Sequence, residues 1–150
     1  MKLAEALQER ADLNRRIQQL QQRLGNNAIV QEGEQPAEDP QELLIELDNC
    51  AANLEQLITR INLTNCRTAV DGENLTALLA RRDALKLRLS AYRDLAYSAS
   101  QLGRRGTRSE IKLLSTVNVR ELQKNVDVLA RELRLLDNSI QAANWSTDLS

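Results

Sequence analysis

The sequence predicts a mainly α protein: an antiparallel four-helix, coiled-coil-like bundle with a short β-ribbon or hairpin in its loops. Three observations carry that expectation. Apolar residues recur in steps of three and four through four separate stretches, which is the period of a helix buried along one side. The stretches have matched lengths of about 23–26 residues, near 36 Å at the helical rise, and matched lengths suit a bundle. Capping chemistry brackets several of them.

The first helix is expected over 2–24, on Leu3, Ala6, Arg10, Leu13, Ile17, Leu20 and Leu24, with Arg10 the one polar intrusion. Gly25 follows where a left-handed C-cap belongs. The second is expected over 41–65, opened by Asp39 as N-cap, Pro40 at the first helical position and Glu42 closing a capping box. Its stripe is Leu43, Leu47, Cys50, Leu54, Leu57 and Ile61, widened by Leu44, Ala51 and Ile58. Asp71-Gly72 is a two-residue hairpin signal, because both central residues must take positive φ. The third helix is expected over 76–101, on Leu75, Leu78, Arg82, Leu85, Leu89, Tyr92, Ala96 and Ala99, with Gly103 as its C-cap. The fourth is expected over 119–143, from an Asn118 cap through Val119, Leu122, Val126, Leu129, Leu133, Leu136, Ile140 and Ala143. A mean period near 3.5 is that of knobs-into-holes packing.

Two long connections each hold a strand-like run, at 28–32 and at 109–117, the latter with Ile111, Leu113 and Val117 on one face. Helices alternating up and down would bring these two loops to the same end of the bundle. Their charges are opposed. Glu32, Glu34, Glu38, Asp39 and Glu42 crowd one, while Arg104, Arg105, Arg108 and Lys112 crowd the other. A two-stranded ribbon leaves open edges to which a second subunit can add. The candidate interface is therefore Val30, Glu32, Glu34, Arg104, Arg105, Arg108, Ile111, Lys112 and Leu113, and the expected partner is a second copy in a homo-oligomer. Trp145, after the last helix, is expected as a plug over the core or an interface anchor. Asn62, Thr64 and Asn65 form a polar knot at the end of the second helix, read as capping or register-setting residues.

One domain spans all 150 residues, with 20 Lys and Arg against 21 Asp and Glu. There is no His, which excludes Ser-His-Asp triads, His-ligated metals, His pH switches and the Glu-x-x-His sites of di-iron bundles. No catalytic constellation remains, so neither enzymatic activity nor a cofactor is expected. Phe is absent and the net charge is -1, which argues against nucleic acid as a partner. The acidic loop lacks EF-hand spacing, and the Gly103–Arg108 loop lacks the Gly-Lys-Ser/Thr core of a P-loop. Anion or nucleotide binding by the arginines is the lesser alternative. MKLAEALQER is no secretory leader and no transmembrane segment is present, so the expected location is cytoplasmic. Cys50 and Cys66, 16 positions apart, fall on different helix faces and are not expected to pair.

Certain loop and end motifs resemble the septicolysin-like family of uncharacterised bacterial proteins. They are Gln31-Glu32-Gly33-Glu34 with Pro36, Glu38-Asp39-Pro40, Ile61-Asn62 with Thr64-Asn65, Ser109-Glu110-Ile111-Lys112, Ser115-Thr116-Val117, and Ile140-Gln141 with Asn144-Trp145. The resemblance implies a small bacterial helical protein without an established activity. Through the family's name it also implies cytolytic action at a membrane surface as an alternative to assembly.

Overall fold

A computed structural model describes residues 1–102 and 111–150. Four helices dominate, in the order α1 (Leu3–Asn26), α2 (Pro40–Arg67), α3 (Leu75–Ser100) and α4 (Val119–Ser146), with strands β1 (Ala69–Val70) and β2 (Glu73–Asn74) between α2 and α3. The expected mainly α fold with four helices and a small hairpin is what forms. The helix ends are set by local chemistry. The Asp39 carboxylate accepts the Gln41 N–H at 2.9 Å, with Pro40 following it. Asn74 and Asn118 cap α3 and α4 through the N–H groups of Ala77 and Glu121, at 2.8 and 3.1 Å. Gly25 is not the C-cap of α1. The helix runs one residue past it, and Asn27 closes the end by donating from its backbone N–H (3.1 Å) and its side-chain amide (2.8 Å) to the Arg23 carbonyl. The C-cap expected at Gly103 lies outside the described residues.

The hairpin forms as its turn residues require. Asp71 (φ 51°) and Gly72 (φ 87°) both occupy the left-handed region, which is the primed turn that matches strand twist. The strand-like runs do not become strands. At 28–32 the Glu34 N–H donates to the Gln31 carbonyl at 3.0 Å, around Gly33 at φ 86°, so the chain turns where a strand would extend. At 111–117, the described part of the second run, Ser115 Oγ donates to the Val117 carbonyl (2.6 Å) and accepts the Val117 N–H (3.3 Å). A local side-chain turn thereby takes groups a ladder would need.

The chain divides into two units, Met1–Ala69 with Ala143–Ser150, and Val70–Ala142. In the first, α1 and α2 pack antiparallel. Arg16 pairs with Glu46, Leu20 packs with Leu43, and Arg23 pairs with Glu38, so positions rise on one helix as they fall on the other. Leu20, Leu43 and Cys50 are the buried centre, flanked by Leu13, Ile17, Leu24 and Leu47. Cys50 is buried, Cys66 is exposed, and neither forms a disulfide. The tail closes this unit. Lys2 and Asp148 form an antiparallel bridge reinforced by a 2.8 Å ion pair. The Leu3 N–H donates to the Thr147 carbonyl and the Leu149 N–H to the Met1 carbonyl, both at 2.9 Å. Thr64, from the expected polar knot, is 2% exposed. Its hydroxyl donates to the Arg60 carbonyl (2.8 Å) and accepts the Ser150 N–H (3.0 Å).

In the second unit α3 and α4 share a seam of Leu85, Leu89, Val126 and Leu129, with Tyr92, Leu133 and Leu136 at its edges. Arg82, the polar intrusion in the α3 stripe, is half-buried and lies 3.4 Å from Asp137 on α4. A charged pair within an apolar seam penalises every register that separates its members. Arg81 on α3 binds Glu73 of β2 at 2.6 Å, holding the hairpin against the helix start.

Two predictions follow from these contacts. Asp137→Ala leaves the half-buried Arg82 guanidinium only its 3.6 Å contact with exposed Asp83 and is expected to lower unfolding stability by about 1–2 kcal/mol, whereas the double replacement Arg82→Leu with Asp137→Leu is neutral or stabilising. Urea titration of both variants measures the difference. The second concerns acid. Hydrogen bonds from Arg23, Arg81 and Lys2 hold the Glu38, Glu73 and Asp148 carboxyls below their ordinary values. Depressed carboxylates contribute stability that is complete above their unfolded pKa and lost as pH falls through the folded value. With no His to titrate, the thermal midpoint should stay flat from about pH 5.5 to 8 and fall below about pH 4. A step near pH 6.5 in differential scanning calorimetry would contradict this.

Candidate functional site

The residues expected at the interface fall in the first unit, in the second unit and outside the described residues. Val30, Glu32 and Glu34 lie exposed in the α1–α2 connection of the first unit. The acids nearest them act locally instead: Glu38 forms a two-pronged pair with Arg23 and donates its own N–H to Asn27 Oδ1 (3.0 Å), and Asp39 caps α2. Arg104, Arg105 and Arg108 lie outside the described residues. Ile111 and Lys112 are exposed in the second unit, while Leu113 lines a concavity of about 510 Å³ with Leu95, Tyr97, Leu102 and Leu114. Trp145, in the last turn of α4, is 55% exposed, so it does not plug the core and remains available as a contact residue.

What the side chains do bring together is a cationic flank on α3 and α4. Arg93, Ala96, Tyr97 and Ser100 follow helical spacing on α3, and with Val119, Arg120, Gln123, Lys124, Val126 and Asp127 of α4 they line a cavity of about 780 Å³. Tyr97 is 59% exposed and borders both this cavity and the leucine-lined one. Arg93 borders a further concavity of about 270 Å³ that carries Lys86 and Arg134 over an apolar floor of Leu89 and Leu133. Five cations thus follow one flank: Lys86, Arg93, Arg120, Lys124 and Arg134. None of them forms an ion pair among the described residues. The two acids of this flank are engaged, Asp137 by Arg82 and Asp127 by the Gln123 amide at 3.2 Å. On the opposite flank the cations are partnered, Arg81 by Glu73 and Arg88 by the Tyr92 ring at 5.6 Å.

The first unit presents the complement. Between Arg23 and Arg60 the chain has no Lys or Arg and eight Asp and Glu. On α2, Leu44 (40% exposed) and Ile58 (36%) stand with Ala51 on a stripe beside the buried seam. These are the residues that widened the expected second stripe, one heptad apart, and Asp48 and Glu55 alternate with them. Both acids are exposed and unpaired among the described residues. The first unit holds seven Lys and Arg against twelve Asp and Glu; the second holds thirteen against nine. The paired loops drew attention in the sequence, but the signal for these surfaces is the cation-free stretch and the i, i+7 repeat of Leu44, Ala51 and Ile58.

Among the described residues, no group of three His, Cys, Asp or Glu is placed to hold a metal ion, and no helix is long and apolar enough to cross a membrane. The molecule is thus a mainly α protein built of helical hairpins with charged, partly apolar outer faces. Residues 10–149 match DUF6847, a family of unknown function, and the chain belongs to that family. It is similar to a solved structure described as a functionally unknown conserved protein from Corynebacterium diphtheriae, at 44% sequence identity and a TM-score of 0.96 over 100% of this chain and 99% of that one. No curated protein matches the sequence. The septicolysin-like resemblance is therefore corrected, since both the family and the solved neighbour are of unknown function and neither points to a cytolysin. Some of the motifs that carried it, such as Asp39-Pro40 and Thr64, serve a helix start and the tail contact, roles that any helical chain can fill with the same residues.

Proposed function

We propose that this protein is a non-enzymatic structural or interaction protein that assembles with copies of itself in the cytoplasm, without a cofactor and without nucleic acid. The observation that carries this is uncovered apolar surface on helices already paired. Leu44, Ile45 and Ile58 on α2, and Leu87, Leu95, Val128 and Leu135 on α3 and α4, all remain exposed. Contiguous exposed apolar residues rimmed by charge mark association surfaces. Exposed Trp145, a residue type enriched where interfaces concentrate binding energy, fits the same role. Native mass spectrometry at low-micromolar concentration tests the proposal. The expected mass is a multiple of 16.9 kDa, with no adduct from a small ligand; a spectrum of bare single chains would overturn self-assembly.

A further inference from the structure

We propose that the stripe Leu44–Ala51–Ile58 of α2, with its acids Asp48 and Glu55, docks into the cationic flank of α3 and α4 on a second copy of this chain. The inference rests on the self-assembly proposed above and names the surfaces through which it occurs. Both surfaces are exposed in the single chain, so each is open to a partner. Their chemistry is complementary. One offers apolar residues interleaved with unpaired carboxylates, and the other offers an apolar floor rimmed by unpaired Arg and Lys. Their lengths match as well. Leu44 to Ile58 and Arg120 to Arg134 are 15 residues each, about 21 Å of helix from first to last.

The charges also decide against the simpler pairings. An α2–α2 contact sets Asp48 and Glu55 against their own copies, and a contact between two cationic flanks brings Arg93, Arg120 and Lys124 together. Like charges juxtaposed at an interface disfavour it. Only the crossed pairing satisfies both surfaces. Each chain carries both surfaces, so the proposal takes two copies to exchange the contacts reciprocally as a dimer. Each contact covers apolar residues that are exposed in the single chain.

Two charge-reversed proteins test this in the full-length chain. One carries Arg93→Glu, Arg120→Glu and Lys124→Glu; the other carries Asp48→Lys and Glu55→Lys. Wild type is expected at twice 16.9 kDa by light scattering, each variant alone at one chain, and an equimolar mixture of the two again at twice that mass. In the mixture both contacts join opposite charges. A wild type that runs as one chain removes the self-association beneath the inference. A dimeric wild type whose variants remain dimeric alone overturns the surfaces named here and leaves self-association standing. Salt dependence of the wild type supplies a check that needs no variant to fold. Raising salt from about 0.05 to 0.5 M should weaken its dimer Kd about tenfold or more; a Kd insensitive to salt would overturn the charged docking.

Discussion

Two helices that pack against each other have one seam between them, and each can cover only the residues that face it. Most of what this protein displays follows from that constraint. In α1 and α2 the seam takes Leu20, Leu43 and Cys50; in α3 and α4 it takes Leu85, Leu89, Val126 and Leu129. Apolar spacing alone does not fix where a helix ends or how it is registered, and polar devices supply both. Asp39, Asn74 and Asn118 close helix starts. Arg16 with Glu46, Arg23 with Glu38 and Arg82 with Asp137 couple neighbouring helices by charge. Leu3, Ile61, Leu75 and Ile140 are fully buried as well, while Leu44 and Ile58 stay exposed beside the α2 seam.

Much of the fold was legible in the amino-acid order because it is written in local chemistry. The 3.5-residue period, the Asp39-Pro40 start and the Asp71-Gly72 turn each act over a few residues, and each formed as its spacing required. The strand-like runs misled for a physical reason. Alternation of apolar and polar residues is necessary for a strand but supplies no partner, and at 31–34 and 115–117 local turns satisfied the backbone first. Gly25 misled similarly, since Asn27 completes the helix end with two side-chain hydrogen bonds, to the Arg23 carbonyl and from the Glu38 N–H, that a glycine cannot make. The charged surfaces were less legible. Lys86, Arg93, Arg120, Lys124 and Arg134 lie on two helices and converge only when the seam sets their rotation. Leu44, Ala51 and Ile58 read as extra core until α1 proved too narrow to cover them.

The resemblance in fold to the Corynebacterium diphtheriae protein, at 44% identity and a TM-score of 0.96, is consistent with this division of labour. A helix seam is specified by spacing and approximate size rather than by particular side chains. Outer faces are free to change without disturbing it. Lys86, Arg93, Arg120, Lys124 and Arg134 of the second unit, and Asp48 and Glu55 of the first, belong to those outer faces.

The tail bridge has a mechanical consequence. Met1 lies opposite Leu149 and Leu3 opposite Thr147, with Lys2 and Asp148 between them. Thermal opening must break this clasp together with the Thr64 contact, so both chain ends resist fraying. A pull applied through residues 1 and 150 loads the same bonds differently. In this antiparallel arrangement the two pulled ends leave from the same side, and the bonds peel in sequence instead of shearing together. The clasp is thus loaded one bond at a time when the chain is drawn from its ends.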